Sequence, residues 1–117
     1  MVKNIIKNKI IAKPSDVLNF CHKIRNSKDK LCKVFYLDEN KKLLSVKTLN
    51  LDNKLPSKNF VIKEILIPCF YISTKSIILV HNHPNGLALP QQTEINLTKK
   101  ISNIGHFFGI ALIDHLI

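Results

Sequence analysis

The sequence predicts an α/β domain in which a mixed β-sheet is flanked by helices. Three observations carry that prediction. Apolar residues recur at helical spacing in three separate windows. Two β-like runs, 31–37 and 43–51, are joined by a cluster of turn formers. A continuous apolar run, Ile77-Ile78-Leu79-Val80, lies between the second and third helical windows, as a strand buried on both faces does. At 117 residues and 45% hydrophobic content, the chain fits one globular domain and is too apolar to be disordered.

Residues 1–13 alternate Lys and Asn with Ile, which suits a short edge strand or a frayed arm. Pro14-Ser15-Asp16 reads as a helix start with Ser15 as N-cap. Val17, Leu18, Phe20, Cys21 and Ile24 then extend a helix over 15–25. Leu31 to Leu37 is β-like, Asp38-Glu39-Asn40-Lys41 is a turn, and Leu43 to Leu51 roughly alternates; together they predict an antiparallel hairpin. Ser57 is placed to cap a second helix over 57–67, built on Phe60, Val61, Ile65 and Leu66. Pro68 costs a helix interior about 3 kcal/mol, so this helix should end or kink near Ile67. Ser76 to Val80 is the central strand and runs into a turn-rich loop, His81-Asn82-His83-Pro84-Asn85-Gly86. Ile95, Leu97, Ile101 and Ile104 predict a third helix over 92–104, with Gly105 as its C-cap. Residues 107–117 are apolar and strand-like.

The formal net charge is +10, which permits attraction to nucleic acid, anionic lipid or acidic proteins. The cations are nearly all lysine, with Arg25 the only arginine, whereas bidentate recognition of bases and phosphates favours arginine. Few aromatics interleave with the lysines in sequence, so no stacking platform for single strands is expected. Cys21, Cys32 and Cys69 are far apart and form no CxxC pair; Cys21 and Cys32 lie among apolar neighbours, as buried thiols do. The odd count and the lack of a secretory leader favour a reducing cytoplasm. No run approaches the ~20 apolar residues of a membrane span.

The chemistry-bearing feature is His81-x-His83 at the end of the buried strand, followed by Glu94 at the head of the third helix. Residues i and i+2 of an extended chain point the same way, so both imidazoles can face one cation. Two His and one carboxylate would leave a tetrahedral Zn²⁺ with one open position. On pattern alone the reading stays open between a metal site and two ordinary histidines.

The run His81-Asn82-His83-Pro84-Asn85-Gly86, then Pro90, Glu94-Ile95 and Leu112-Ile113-Asp114-His115-Leu116-Ile117, resembles the RadC family of JAMM (MPN-type) proteins. Upstream, Phe35-Tyr36-Leu37-Asp38 and Lys42-Leu43-Leu44 resemble the family's first hairpin, so the likeness covers roughly residues 15–117. It implies a JAMM/MPN-like, cytidine-deaminase-like architecture and a zinc metallopeptidase-like hydrolase of peptide or isopeptide bonds, with one Zn²⁺ on His81, His83 and Glu94. Glu94 stands where the family usually has aspartate and is still a competent oxygen ligand. Gln91 occupies the position of a family serine that assists the oxyanion.

The sequence departs from the family in three respects. Serine at position 91 would also cap the following helix, a contribution of about 1 kcal/mol that Gln91 lacks, although its amide can still donate. The family's general-base glutamate belongs near Val46-Lys47-Thr48, but no acid occurs between Glu39 and Asp52. The chain also stops at Ile117, where the family continues through a closing strand, so the expectation is a domain lacking that strand, with either an unpaired sheet edge or a missing wall.

Asp114-His115 resembles the family's terminal Asp-His pair. It either orients a zinc ligand or satisfies backbone groups at a strand end. Asn82 reads as a turn or packing residue, and Glu64 and Lys99-Lys100 as solvated. His22 and His106 are read as surface residues. Two further classes stay open: a degenerate module that only binds partners, and a basic accessory protein in DNA repair, the process with which RadC was associated.

Overall fold

A computed structural model describes residues 10–21, 27–51, 58–84 and 92–116. Its centre is a four-stranded sheet in the order β2-β1-β3-β4, with β1 at Leu31–Leu37, β2 at Leu43–Asn50, β3 at Ser76–His81 and β4 at Ala111–Leu116. The β1–β2 and β1–β3 pairings are antiparallel and β3–β4 is parallel, so the sheet is mixed, as expected. The predicted hairpin is present. In its turn the Asp38 carboxylate accepts the Asn40 and Lys42 backbone N–H groups at 2.8 and 2.9 Å, the local bonding that places Asp at turn starts.

Alternation along the strands divides the core between the two faces. Cys32, Val34, Tyr36, Ile77 and Leu79 pack with Ile62, Ile65 and Leu66 of helix α1 (Lys58–Leu66) and Ile101 of helix α2 (Gln92–Phe107). The Tyr36 hydroxyl donates to the Ile65 carbonyl at 2.6 Å and ties β1 to α1. On the other face Phe35, Leu37, Leu43, Ile78 and Val80 meet Ile11, Val17 and Cys21. Every residue of β3 is buried, which is why its sequence is continuously apolar from Ile77 to Val80. Cys21, Cys32 and Cys69 are all buried, and none is in a disulfide.

Several local expectations need correction. The first helix is a 3₁₀ turn over Pro14–Phe20, with Lys13 rather than Ser15 at the N-cap. Pro14 occupies the first helical position, which its fixed φ suits, and the Asp16 carboxylate accepts the Lys13 N–H at 3.1 Å. Residues 22–26, including His22 and Ile24, lie outside the described residues, as do 1–9 and Ser57. Helix α1 gives way at Pro68 to a 3₁₀ turn over Ile67–Phe70, as the proline requires. Gly105 does not cap α2. The helix continues to Phe107, and Gly109 takes the left-handed conformation at φ +76°. Gly105 is needed for a different reason: the Ile110 carbonyl oxygen would lie 2.6 Å from a Cβ there.

Phe107 and Phe108 therefore belong to the helix end and the following turn, not to the last strand. With Phe70 and Tyr71 they form exposed aromatics that sequence spacing did not reveal; Phe70 and Phe108 meet edge-on at 5.3 Å. Among the described residues, no helix is long and apolar enough to cross a membrane.

Candidate functional site

His81 is the last residue of β3, directly opposite Cys32 of β1, and is 1% exposed. The chain leaves the sheet at Asn82, whose side chain is structural. Its Oδ1 accepts the Leu31 N–H at 2.6 Å and its Nδ2 donates to the Asp29 carbonyl at 2.9 Å. These bonds fasten the end of β3 to the start of β1 and fix where His81 and His83 emerge. Asn82 is thus the packing residue its turn context suggested.

Glu94 lies in the first turn of α2 and is 3% exposed. His83 Nε2–H donates to both of its carboxylate oxygens, at 2.9 and 2.8 Å, and His81 Nδ1 is 4.0 Å from Oε2. The three residues singled out in the sequence therefore converge at the carboxyl end of β3. His115, on β4, joins them through a contact between its Nε2 and His81 Nδ1. Its Nδ1 contacts the Thr98 hydroxyl, which donates to the Glu94 carbonyl at 2.8 Å. The Asp114 carboxylate accepts the His115 backbone N–H at 2.8 Å. Sequence reading missed Thr98; its spacing of four residues from Glu94, one helical turn, was the available signal.

Burial sets the protonation state here. It lowers the His81 pKa to about 3, with His115 adding to the effect and Glu94 opposing it. Burial likewise lowers His115. Both imidazoles are thus neutral near pH 7, the form that ligates metals. Beneath them, burial and the nearby Glu94 charge push the Cys32 thiol up to about 12, so it is no thiolate.

The donor set suits zinc in kind, and His81 Nε2 is buried with no hydrogen-bond partner among the described residues. Its spacing is tighter than zinc requires. Tetrahedral ligands about 2.1 Å from zinc stand roughly 3.4 Å apart, whereas His83 and Glu94 are 2.8 Å apart. Among the described residues, no three His, Cys, Asp or Glu are arranged to hold an ion. Gln91 lies outside the described residues.

The expected general-base region also resolves differently from its sequence reading. Lys47 is opposite Val34, which is opposite Leu79, so it shares the sheet face of His81 one step back along the strands. Its ammonium donates to the Glu64 carboxylate at 2.7 Å and to the Glu64 carbonyl at 2.9 Å. Glu64 is therefore ion-paired rather than simply solvated, and the Lys47 contact holds its pKa below the usual carboxylate value. Lys99 and Lys100 are exposed as expected, and so is His106. Between α2 and β4, a cleft of about 440 Å³ lined by Glu94, Thr98, Ser102, Asp114 and His115 opens beside the donor set.

Residues 11–117 match the family described as the RadC-like JAB domain. A UPF0758 protein of Caldanaerobacter subterraneus subsp. tengcongensis is 30% identical over 112 residues, 95% of this chain and 48% of the relative. A UPF0758 protein of Latilactobacillus sakei is 39% identical over 82 residues, 70% of this chain and 36% of the relative. A third, from Clostridium perfringens, is 34% identical over 108 residues, 92% of this chain and 47% of the relative. The chain spans about half the length, or less, of these curated relatives. The family match across nearly the whole sequence and the mixed sheet that gathers His81, His83 and Glu94 lead to one conclusion: this chain belongs to the RadC-like JAB domain family.

Proposed function

We propose that the chain is a zinc-dependent hydrolase domain of the JAB type, acting on peptide or isopeptide bonds, with His81, His83 and Glu94 as metal ligands. The observation that carries this reading is the convergence of two imidazoles and one carboxylate, all nearly sequestered from solvent, at the end of a buried strand. Zinc held there supplies Lewis acidity towards a carbonyl and lowers the pKa of water to about 7. The protein's part is to present neutral imidazoles, to offer one carboxylate of opposite charge, and to exclude bulk water. Accepting zinc would require His83 and Glu94 to part by about 0.6 Å. The cleft between α2 and β4 is the approach for an extended chain.

Lys47 favours a second reading, a zinc-binding module that recognises partners without turnover. An ammonium held by Glu64 cannot take a proton. Losing a positioned general base lowers rates by typically 10²–10⁴-fold.

Metal content by elemental mass spectrometry, beside a His81→Ala/His83→Ala control, tests the site. One zinc per chain in the wild type and none in the control is expected; no zinc after reconstitution refutes both readings. Hydrolysis of peptide and isopeptide-linked substrates by zinc-loaded protein separates the two. Turnover that rises in a Lys47→Glu/Glu64→Gln variant supports the hydrolase reading. Absence of turnover in both proteins leaves the partner-binding module.

A further inference from the structure

Two helix ends leave phenylalanines in solvent beside each other. Pro68 breaks α1, and the 3₁₀ turn that follows presents Phe70, 61% exposed. The left-handed Gly109 closes the turn after α2 and leaves Phe108 53% exposed. The two rings meet edge-on at 5.3 Å, a favoured arrangement of aromatic pairs. Both line an open groove of about 630 Å³ that runs between α1 and α2. Ile62, Leu66, Ile104 and Ile110 make the rest of its apolar lining. Its polar lining is the exposed pairs Asn59 and Asn103, Lys63 and Lys100. Among the described residues no Asp or Glu lines it. Glu64, next to Lys63 in sequence, is already held by Lys47.

We propose that this groove docks an amphipathic helix of a partner protein, with the helix's apolar face against Phe70 and Phe108 and its acidic flanks against Lys63 and Lys100. Exposed aromatics that border an apolar hollow mark contact surfaces, and rigid aromatic anchors carry most of the binding energy at such surfaces. The apolar lining decides the partner's conformation. An extended peptide would bury backbone N–H and C=O groups against Ile, Leu and Phe without partners, whereas a helix bonds its own. The α1 wall is itself one helical face, residues 59, 62, 63 and 66, into which the ridges of a third helix can pack. Charge decides the partner's flanks. Two lysines and no acid face the hollow, on a chain of formal net charge +10. A second copy of this chain would bring the same lysines together across the contact, so it fits badly. The aliphatic lining and the absence of arginine from the groove disfavour nucleic acid. The groove shares no lining residue with the cleft beside His115, and the proposal does not depend on zinc.

The test is fluorescence anisotropy of two synthetic helices titrated with the full chain at pH 7. Each has about 18 residues, enough to hold a helix, with leucines along one face. One carries glutamates on both flanks, the other lysines. The wild type should bind the glutamate helix at least tenfold more tightly, by a margin that shrinks with salt. Phe108→Ser should weaken that binding about tenfold or more. Tyr71→Ser, equally exposed but outside the groove, should leave it unchanged. The exposed pair Lys63→Glu/Lys100→Glu should reverse the preference, although the chain stays basic overall. Failure of the wild type to bind the glutamate helix overturns the proposal. So does an unchanged preference in the lysine variant, which would mean that the protein's total charge attracts the probe. Equal losses in Phe108→Ser and Tyr71→Ser would show an unspecific apolar contact and overturn it too. Tighter binding of a thymidine oligonucleotide or of phosphatidylserine vesicles, lost in Phe108→Ser, would assign the groove to nucleic acid or membrane instead. A dimer in sedimentation that Phe108→Ser dissolves would assign it to a second copy.

Discussion

Gly105→Ala is a one-atom test of how α2 is seated on β4. The added Cβ would lie 2.6 Å from the Ile110 carbonyl oxygen, where ordinary contacts begin at 3.4 Å. The obstacle is backbone rather than the end of a flexible side chain, so helix and strand must separate by about 0.8 Å. That movement strains the Ile110 N–H bond to the Gly105 carbonyl, now 2.7 Å. Overpacking of this kind costs about 1–3 kcal/mol and a weakened hydrogen bond about 1 more, while alanine returns about 1 in helix propensity. The net expectation is a loss of about 1–3 kcal/mol. With a typical urea slope near 2 kcal/mol per molar, the unfolding midpoint should fall by about 1 M at unchanged slope. Gly109→Ala is the control. It meets nothing within 4 Å and pays only for its left-handed backbone, about 1 kcal/mol. Because Ile110 leads directly into β4, the Gly105 variant should also disturb the contact of His115 with His81. A Gly105→Ala protein as stable as the wild type would refute the close approach and the seating derived from it.

Asn82→Ala should lower stability by about 1–3 kcal/mol in urea unfolding, because it orphans the Leu31 N–H and the Asp29 carbonyl; an unchanged midpoint would mean the clamp carries no load. The depressed pKa of Glu64 makes a signed prediction. The Lys47–Glu64 pair contributes fully above the unfolded carboxylate pKa of about 4.3 and is lost as pH falls through the lower folded value. Urea midpoints of the wild type and Lys47→Met should therefore differ above that pH and converge in acid, and a difference that persisted in acid would contradict this. Burial raises the Cys32 thiol to about 12 and the Cys69 thiol to about 11. A thiol reagent at pH 8 should accordingly label the native protein slowly and all three cysteines rapidly in denaturant; rapid native labelling of Cys32 would contradict its burial.

Much of this protein was legible in its sequence, because the features concerned are local. Strand alternation, the turn chemistry of Asp38, the helix break at Pro68 and the apolar run Ile77–Val80 leading to His81 each depend on a few adjacent residues. The pairing of His81 and His83 with Glu94 was legible for the same reason, since a strand end, a loop and a helix start bring them back together. What the sequence could not determine lies in contacts between distant elements. Gly105 looked like a helix end because only the folded chain brings the Ile110 backbone against it. Glu64 looked solvated because its partner Lys47 is on a different element. The contacts of His115 with Thr98 and with His81 span 17 and 34 residues. Periodicity records which face a residue turns inward; what it meets there is fixed only when helices and strands dock.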